Sequence, residues 1–213
     1  MLVIKYQGRL GNNLFQYAFG RLCHERHPDV GGMIAKPIPG FPNTYERLGE
    51  GAGKKDIIIR EYYQNYVFYE NYKDKIMKWY EFDRMEAQPD DRLVIHIRLG
   101  DYLTIKDNQM FVPLDVFQKL IDIDNPSSVY IVSEEPKHPI LKRFDAICVG
   151  EDVMHDFAFI ASAKRLCISN STFSWWAAWL GIADKIYYPD IGYDVFTNKL
   201  FVHDESRYIM VKA

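Results

Sequence analysis

The segment LCISNSTFSWWAAWL, Leu166–Leu180, passes from an apolar strand through a polar turn into an aromatic helix. We predict the strand over Leu166–Ser169 and the helix over Thr172–Leu180. Small hydroxyl residues cap helices, but the four hydroxyls and one amide between Ser169 and Ser174 exceed what one cap requires. Helix capping is one interpretation of these residues, and a ligand site built from the surplus polar groups is the other.

The alternation of strands and helices continues on both sides of this segment. Short apolar runs are followed by stretches with helical spacing, which indicates a parallel sheet with helical crossovers. Ligands bind such sheets at the carboxyl ends of the strands, so the loops there are candidate sites. The predicted strands are Leu93–Ile97, Val129–Val132 and Lys185–Tyr188, and the predicted helices are Leu114–Ile121 and Asp152–Ala163.

The first part of the chain also begins with a strand, a turn and a helix. The turn QGRLGNN, Gln7–Asn13, is either an ordinary connection or an anion site at a helix N-terminus. The polar run Glu86–Asp91 predicts a linker, which divides the chain into residues 1–88 and 89–213. The predicted elements are a strand over Leu2–Tyr6, a glycine turn over Gly8–Gly11, a helix from Asn12, a loop over Pro28–Gly53, a strand over Ile57–Ile59 and a helix over Asn71–Phe82.

The composition is that of a globular protein with an ordinary surface. Of the 213 residues, 48% are hydrophobic and 26% are charged, which excludes disordered and fibrous classes. The formal net charge of −3 gives no overall attraction to nucleic acid, so we predict no nucleic-acid partner. The three cysteines form no CxxC pair, and we predict no metal site. No apolar run reaches the about 20 residues of a transmembrane helix and no signal-peptide pattern is present, so we expect a cytoplasmic protein.

Two further turns carry charged residues at predicted strand ends. Alternation places His96 and Arg98 on the same side of a strand end, where a guanidinium suits a diphosphate. The alternative is an ion pair from Arg98 to Asp101 that closes the turn, with His96 a hydrogen-bonded core residue. After the next strand, the carboxylates of Glu134 and Glu135 suit a ribose or the edge of a guanine, and a solvated acidic turn is the alternative.

Together these segments resemble the family-11 glycosyltransferases, the α-1,2-fucosyltransferases. That family carries a G-x-L-G-N-Q-[ML]-F-Q-Y-A-F-G start, an H-x-R-R-G-D-Y strand end, an S-D-D turn and an S-N-S-T-F-S-W-W-x-A-W-L segment. The matching segments here are GRLGNNLFQYAFG (Gly8–Gly20), HIRLGDY (His96–Tyr102), SEE (Ser133–Glu135) and SNSTFSWWAAWL (Ser169–Leu180), with lesser matches in EYYQNYVFY (Glu61–Tyr69) and VPLDVFQKLI (Val112–Ile121).

The resemblance implies an α/β fold of the GT-B type, with two Rossmann-like lobes built on parallel sheets and a reduced N-terminal lobe. It implies that residues 1–88 take the acceptor and that residues 89–213 hold the donor nucleotide. The implied reaction is the inverting transfer of L-fucose from GDP-β-L-fucose to a glycan hydroxyl, in α-1,2 linkage and without a metal or other cofactor. The alternatives are transfer from another nucleotide sugar and a catalytically idle module that binds a glycan or a nucleotide.

The resemblance assigns the catalytic roles to Arg98, Asp101 and Asn12. Arg98 would clasp the donor diphosphate and stabilise the charge on departing GDP. Asp101 or a phosphate oxygen would take the proton of the acceptor hydroxyl. Two departures from the family pattern are Leu99, where a second arginine is common, and the acidic pair, where the family has two aspartates. The implied donor-binding residues are Arg9, Gly11, Asn12, His96, Arg98, Ser133, Glu134, Asn170, Ser171, Thr172 and Phe173.

Overall fold

The computed structural model describes residues 1–49, 56–105 and 110–212. The chain forms two compact units, Met1–Asp83 and Arg84–Ala213. Each unit is a sheet of mainly parallel strands with helices, which confirms the predicted α/β class. In the described part of the chain, no helix is both long enough and apolar enough to cross a membrane.

Unit 1 is built on four short strands. They are β1 (Leu2–Ile4), β2 (Met33–Ile34), β3 (Arg47–Leu48) and β4 (Ile57–Ile59), in the order β3-β2-β1-β4. β1 pairs in parallel with β2 and with β4, whereas β3 is antiparallel to β2. Two of these strands fall in the predicted loop Pro28–Gly53, because strands of two residues are too short to show an alternating pattern. Residues 50–53 of that loop lie outside the described residues.

The helices of unit 1 are α1 (Leu10–Arg26) and α2 (Lys73–Trp79). α1 begins before its predicted start at Asn12, so Gly11 lies in the first helical turn and not in the glycine turn. α1 packs closely on β1, since a Cβ atom on Gly20 would lie 2.6 Å from Cδ1 of Ile4. α2 is shorter than the predicted helix, because Glu70–Tyr72 forms a separate 3₁₀ turn before it.

Unit 2 is built on six strands, and every pairing between them is parallel. The order is β10-β9-β8-β5-β6-β7, where the strands are β5 (Arg92–His96), β6 (Ser128–Val132), β7 (Ile147–Val149), β8 (Arg165–Cys167), β9 (Lys185–Asp190) and β10 (Tyr208–Lys212). The helices are α3 (Leu114–Asp124), α4 (Val153–Ala161) and α5 (Thr172–Leu180). Strands β7 and β10 were not predicted from the sequence. The predicted bounds of α5 are confirmed.

Helix α5 is buried along most of its length, from Ser174 to Leu180. Its residues Trp175, Trp176 and Trp179 are all fully buried. The indole Nε1 of Trp175 donates to the carbonyl of Leu200 at 2.7 Å, which satisfies one buried donor. A helix with its large aromatic residues inside the protein has a fixed position, so the polar turn before it is also fixed relative to the sheet.

Each sheet changes its direction of growth once. In unit 2 the chain adds β6 and β7 on one side of β5 and then returns to add β8, β9 and β10 on the other side. In unit 1 it adds β2 and β3 on one side of β1, and β4 on the other. Open parallel sheets bind ligands at the carboxyl ends of the strands at such a switch point. The fold therefore singles out the β5–β8 edge of unit 2 and the β1–β4 edge of unit 1.

Candidate functional site

The charged centre of unit 2 is Arg98, just after the end of β5. Its guanidinium donates through Nη1 to Oε1 of Glu134 at 2.7 Å and through Nη2 to the carboxylate of Asp101. The side chain is only 12% exposed, so these charged contacts are partly shielded from water. The predicted ion pair between Arg98 and Asp101 is therefore present, and Glu134 from the next loop is a second partner.

Gly100 makes room for this arrangement. Its backbone has a φ of +44°, which side-chain-bearing residues rarely adopt, and a Cβ atom here would lie 2.9 Å from Oε1 of Glu134. The neighbouring Leu99 is fully buried in the core. The second arginine of the family thus has no exposed counterpart at this position, and the three groups Arg98, Asp101 and Glu134 together carry one net negative charge.

His96 connects the two strand ends at the unit 2 switch point. Its Nδ1 atom lies 2.7 Å from Oγ of Ser169, which follows β8. Burial, and next the charge of Arg98, lowers the pKa of His96 to about 3, so the ring is neutral at physiological pH. The ring also lies 5.7 Å from that of Phe173. These contacts match the interpretation of His96 as a hydrogen-bonded core residue.

The hydroxyl-rich turn leads into α5 at this same edge. Ser171 occupies the N-cap position with extended backbone angles, but its side chain makes no capping hydrogen bond. The capping interpretation therefore does not account for its hydroxyl group. The amide Nδ2 of Asn170 is buried and has no hydrogen-bond partner in the described part of the chain, whereas the Asn170 carbonyl accepts from the hydroxyl of Tyr102 at 2.9 Å. Helix N-termini attract anions because the first N–H groups lack acceptors within the helix.

Thr172 and Phe173 form the first turn of α5, and both are partly exposed. Ser133 has a different environment. It is fully buried, and its hydroxyl accepts from the backbone N–H of Glu135 at 3.3 Å. This contact shapes the turn after β6, which brings Glu134 to Arg98. A contact of Ser133 or Glu134 with guanosine stays a prediction.

The predicted residues of unit 1 lie at its own switch point. Gly8 and Arg9 are exposed, and Gly8 has a φ of +76°. Asn12 is partly buried in the first turn of α1, and its Oδ1 accepts from Nε2 of Gln64 at 2.7 Å. Gln64 follows β4, so this bond connects the two sides of the switch point. The roles of Arg9, Gly11 and Asn12 toward a donor stay predictions.

The sequence analysis did not single out the glutamines of unit 1. The fully buried Gln16 accepts from the backbone N–H of Gln7 at 3.0 Å and donates to the carbonyls of Arg60 and Glu61 at 3.3 and 3.2 Å. Gln64 lies inside the aromatic run EYYQNYVFY, Glu61–Tyr69. The sequence feature that could have identified Gln64 is its uncharged amide within the motif Glu61–Tyr69.

A surface cavity of about 280 Å³ lies elsewhere in unit 1. The second half of α1 and the turn after Tyr66 line it, with Phe19, Arg26 and Phe68 among the lining residues. None of the predicted site residues lines this cavity. The cavity is therefore separate from the residues predicted to bind the donor.

The model of one known protein family matches the segment around α5. The model of glycosyl transferase family 11 matches residues 139–207, which include the hydroxyl-rich turn and the tryptophan helix. The match covers about a third of the chain and supports the resemblance to family 11 over that segment. The match does not extend to the loop of Arg98 or to the glycine turn.

A curated relative points to the same class of protein. The O-antigen biosynthesis glycosyltransferase WbnK of Escherichia coli is 22% identical, over 62% of this chain and 54% of that protein. The chain thus spans about half the length of this relative. No solved structure matches the chain.

Proposed function

We propose that this protein transfers L-fucose from GDP-β-L-fucose to a hydroxyl group of a glycan, with inversion and in α-1,2 linkage, and without a metal ion. The observation that carries the proposal is that the loop of Arg98 meets the turn before α5 at the switch point of the larger sheet. The Arg98 guanidinium lies 5.3 Å from the ring of Tyr102, whose hydroxyl donates to the carbonyl of Asn170. A bidentate guanidinium and a helix N-terminus both suit a diphosphate. The family-11 match over residues 139–207 supports a glycosyltransferase.

In the proposed reaction the acceptor oxygen forms a bond to C1 of fucose as the bond from C1 to the phosphate oxygen breaks. The electron pair of the broken bond leaves with GDP, so negative charge grows on the diphosphate. Arg98 and the first-turn amides of α5 stabilise that charge in the transition state. The acceptor's proton passes to the carboxylate of Asp101 or to a phosphate oxygen.

The two carboxylates bonded to Arg98 affect how the donor can bind. An arriving diphosphate competes with Asp101 and Glu134 for the same guanidinium donors. Asp101 is the more exposed of the two, with 52% of its side chain accessible against 28% for Glu134. We therefore propose that Asp101 releases Arg98 on donor binding, which also frees its carboxylate to act as the base.

Thermal unfolding with nucleotides tests the proposal. The protein is melted with GDP, UDP, ADP and GDP-fucose, each with and without a chelator. A ligand at about 100 times its dissociation constant stabilises by about 2.7 kcal/mol, which at this chain length raises the midpoint by several degrees. We expect GDP and GDP-fucose alone to raise the midpoint, and the chelator to change nothing.

Two other outcomes would replace the proposal. A larger shift with UDP or ADP indicates a transferase that uses another nucleotide sugar. A shift with glycans but with no nucleotide indicates a binding module without transfer activity. A cytoplasmic location stays a prediction.

A further inference from the structure

Tyr63, in the aromatic run after β4, has an unusual backbone conformation. Its φ is +52°, which costs a bulky L-residue about 1 kcal/mol or more. Its ring stacks on that of Phe19 at 3.9 Å, with 11° between the planes. Its carbonyl accepts from the Tyr69 hydroxyl at 2.8 Å and from the Asn65 N–H at 2.9 Å. Such strain persists only where surrounding contacts determine the conformation, and it clusters at functional sites.

The residue that follows this strained position is Gln64. Its Nε2 donates to Oδ1 of Asn12 at 2.7 Å, a bond between residues 52 positions apart in the chain. A side-chain amide has one oxygen that accepts and one NH₂ group that donates. Because Gln64 occupies the oxygen side, the rotation of the Asn12 amide is fixed, and the NH₂ group lies on the opposite side.

That NH₂ group lies against the exposed glycine turn. A Cβ atom on Gly8 would lie only 2.2 Å from Nδ2 of Asn12, so the absence of a side chain on Gly8 is what admits the amide there. The oxygens of a sugar hydroxyl or a phosphate accept hydrogen bonds from such a group. We infer that Gln64 is a positioning residue that holds Asn12 as a hydrogen-bond donor toward substrate at the glycine turn.

This inference rests on the proposed function and on the role toward the donor that the family resemblance implies for Asn12. Gln64→Glu is the direct test, because a carboxylate has nearly the same shape but only accepts hydrogen bonds. The Asn12 amide would then turn over to donate to it and present its oxygen to the substrate. We expect kcat/KM to fall by about tenfold or more, the size of one lost hydrogen bond to a charged or strongly polar partner. The melting midpoint should change little.

Asn12→Asp is the complementary variant. It keeps an acceptor for Gln64 but removes the NH₂ group, so we expect a loss of kcat/KM similar to that of Gln64→Glu. In an Asn12→Ala background, Gln64→Glu should have no further effect, since residues that act as one unit are not additive. An equal further loss in that background would show that Gln64 acts independently of Asn12 and would overturn the inference.

Gln16→Met is the matched structural control. Gln16 also bonds across the β1–β4 switch point, but its contacts go to backbone groups and not to Asn12. We expect a lower melting midpoint with kcat/KM within about twofold of the wild type at temperatures where the variant is folded. A Gln64→Glu variant with this same pattern would reduce Gln64 to a structural role.

A nuclear magnetic resonance measurement decides the positioning without any turnover. The Asn12 side-chain NH₂ protons should show a nuclear Overhauser effect to the Hα protons of Gly8 in the wild type and lose it in Gln64→Glu. Its absence in the wild type, or its survival in the variant, overturns the inference. By contrast, a wild-type protein that shows this effect but neither binds nor uses a nucleotide sugar contradicts only the proposed function.

Discussion

The two sheet switch points have the same topology but different chemistry. In unit 2 the side chains at this edge are charged, with Arg98 between Asp101 and Glu134. In unit 1 the hydrogen bond across the edge joins two neutral amides, with Gln64 donating to Asn12, and the charged Arg9 is exposed in the adjoining turn. A charged centre can exchange one anionic partner for another, whereas an amide network fixes the direction of each hydrogen bond. We therefore expect anion binding at the unit 2 edge and oriented hydrogen bonding at the unit 1 edge.

Arg98→Ala should have the largest effect. It removes the charged donor that we place on the diphosphate, and loss of one such donor costs about 100-fold or more in turnover. The measurement is kcat for transfer from GDP-fucose, together with GDP affinity. The control is Arg143→Ala, which breaks an ion pair with Asp115 of 2.6 Å on the surface of the same unit and should leave both values unchanged. Wild-type turnover in Arg98→Ala would remove the charged centre from the mechanism.

The second largest effect should be a pH dependence of stability that arises from His96 at the unit 2 switch point. The pKa of His96 is lowered by burial to about 3, whereas histidine in an unfolded chain titrates near 6.5. Between these values the unfolded state binds a proton that the folded state does not. The free energy of unfolding therefore falls as pH falls from about 6.5 toward 3, by at most about 1.4 kcal/mol per pH unit from this group.

Urea unfolding of wild type and His96→Gln, followed by tryptophan fluorescence, measures this dependence. Three of the four tryptophans lie in α5, so the signal reports mainly on unit 2. Glutamine keeps a hydrogen-bonding group near Ser169 but does not titrate. We expect a shallower loss of stability in the variant between pH 6.5 and about 4. Equal slopes for the two proteins would mean that His96 is accessible to protons in the folded state.

Gly100→Ala should have an intermediate effect on the charged centre. The positive φ makes alanine unfavourable by about 1 kcal/mol, and the new Cβ atom would push the Glu134 carboxylate away from Arg98. We expect a loss of about tenfold in turnover, because the displaced Glu134 is bonded to Arg98 and would shift the guanidinium, and small displacements of a catalytic group are costly. The melting midpoint should fall by about 2 to 4 °C.

Gly192→Ala is the control for Gly100→Ala. Gly192 has a φ of +77°, but a Cβ atom there would meet nothing within 4 Å. The control should therefore share the loss of stability without the loss of turnover. Equal turnover in the two variants would show that the clash with Glu134 does not disturb Arg98 in the reaction.

The elements that were predicted correctly from the sequence are those that local patterns encode. Helix α5 has its predicted bounds because an apolar strand, a polar turn and a helix follow one another without interruption. The three-residue strand β7 was missed because so short a run has no detectable period. Tyr208–Lys212 was missed as a strand because it follows a long irregular segment.

The site shows the same division between local and distant contacts. The pair of Arg98 with Asp101 was predicted as one alternative, since the two residues are only three positions apart in the chain. The contact of Arg98 with Glu134 joins loops after different strands, and the bond of Gln64 with Asn12 joins residues 52 positions apart. Neither contact can be predicted from a single sequence, because strand register and packing decide which loops meet.

Glu134→Gln should have the smallest effect, but it discriminates between two roles for Glu134. In the structure this carboxylate bonds to Arg98 and so competes with an incoming diphosphate. Removing its charge should tighten GDP binding by about two- to fivefold, the size expected for a partly exposed ion pair. Glu135→Gln is the control, because no ion pair between Glu135 and Arg98 exists in the described residues.

If Glu134 instead contacts the guanine, as the family resemblance implies, the Glu134→Gln variant should bind GDP more weakly and lose its preference for GDP over ADP. Calorimetric titration with both nucleotides distinguishes these signs, and a weaker GDP affinity would assign Glu134 to the nucleobase and leave Asp101 as the carboxylate that governs Arg98.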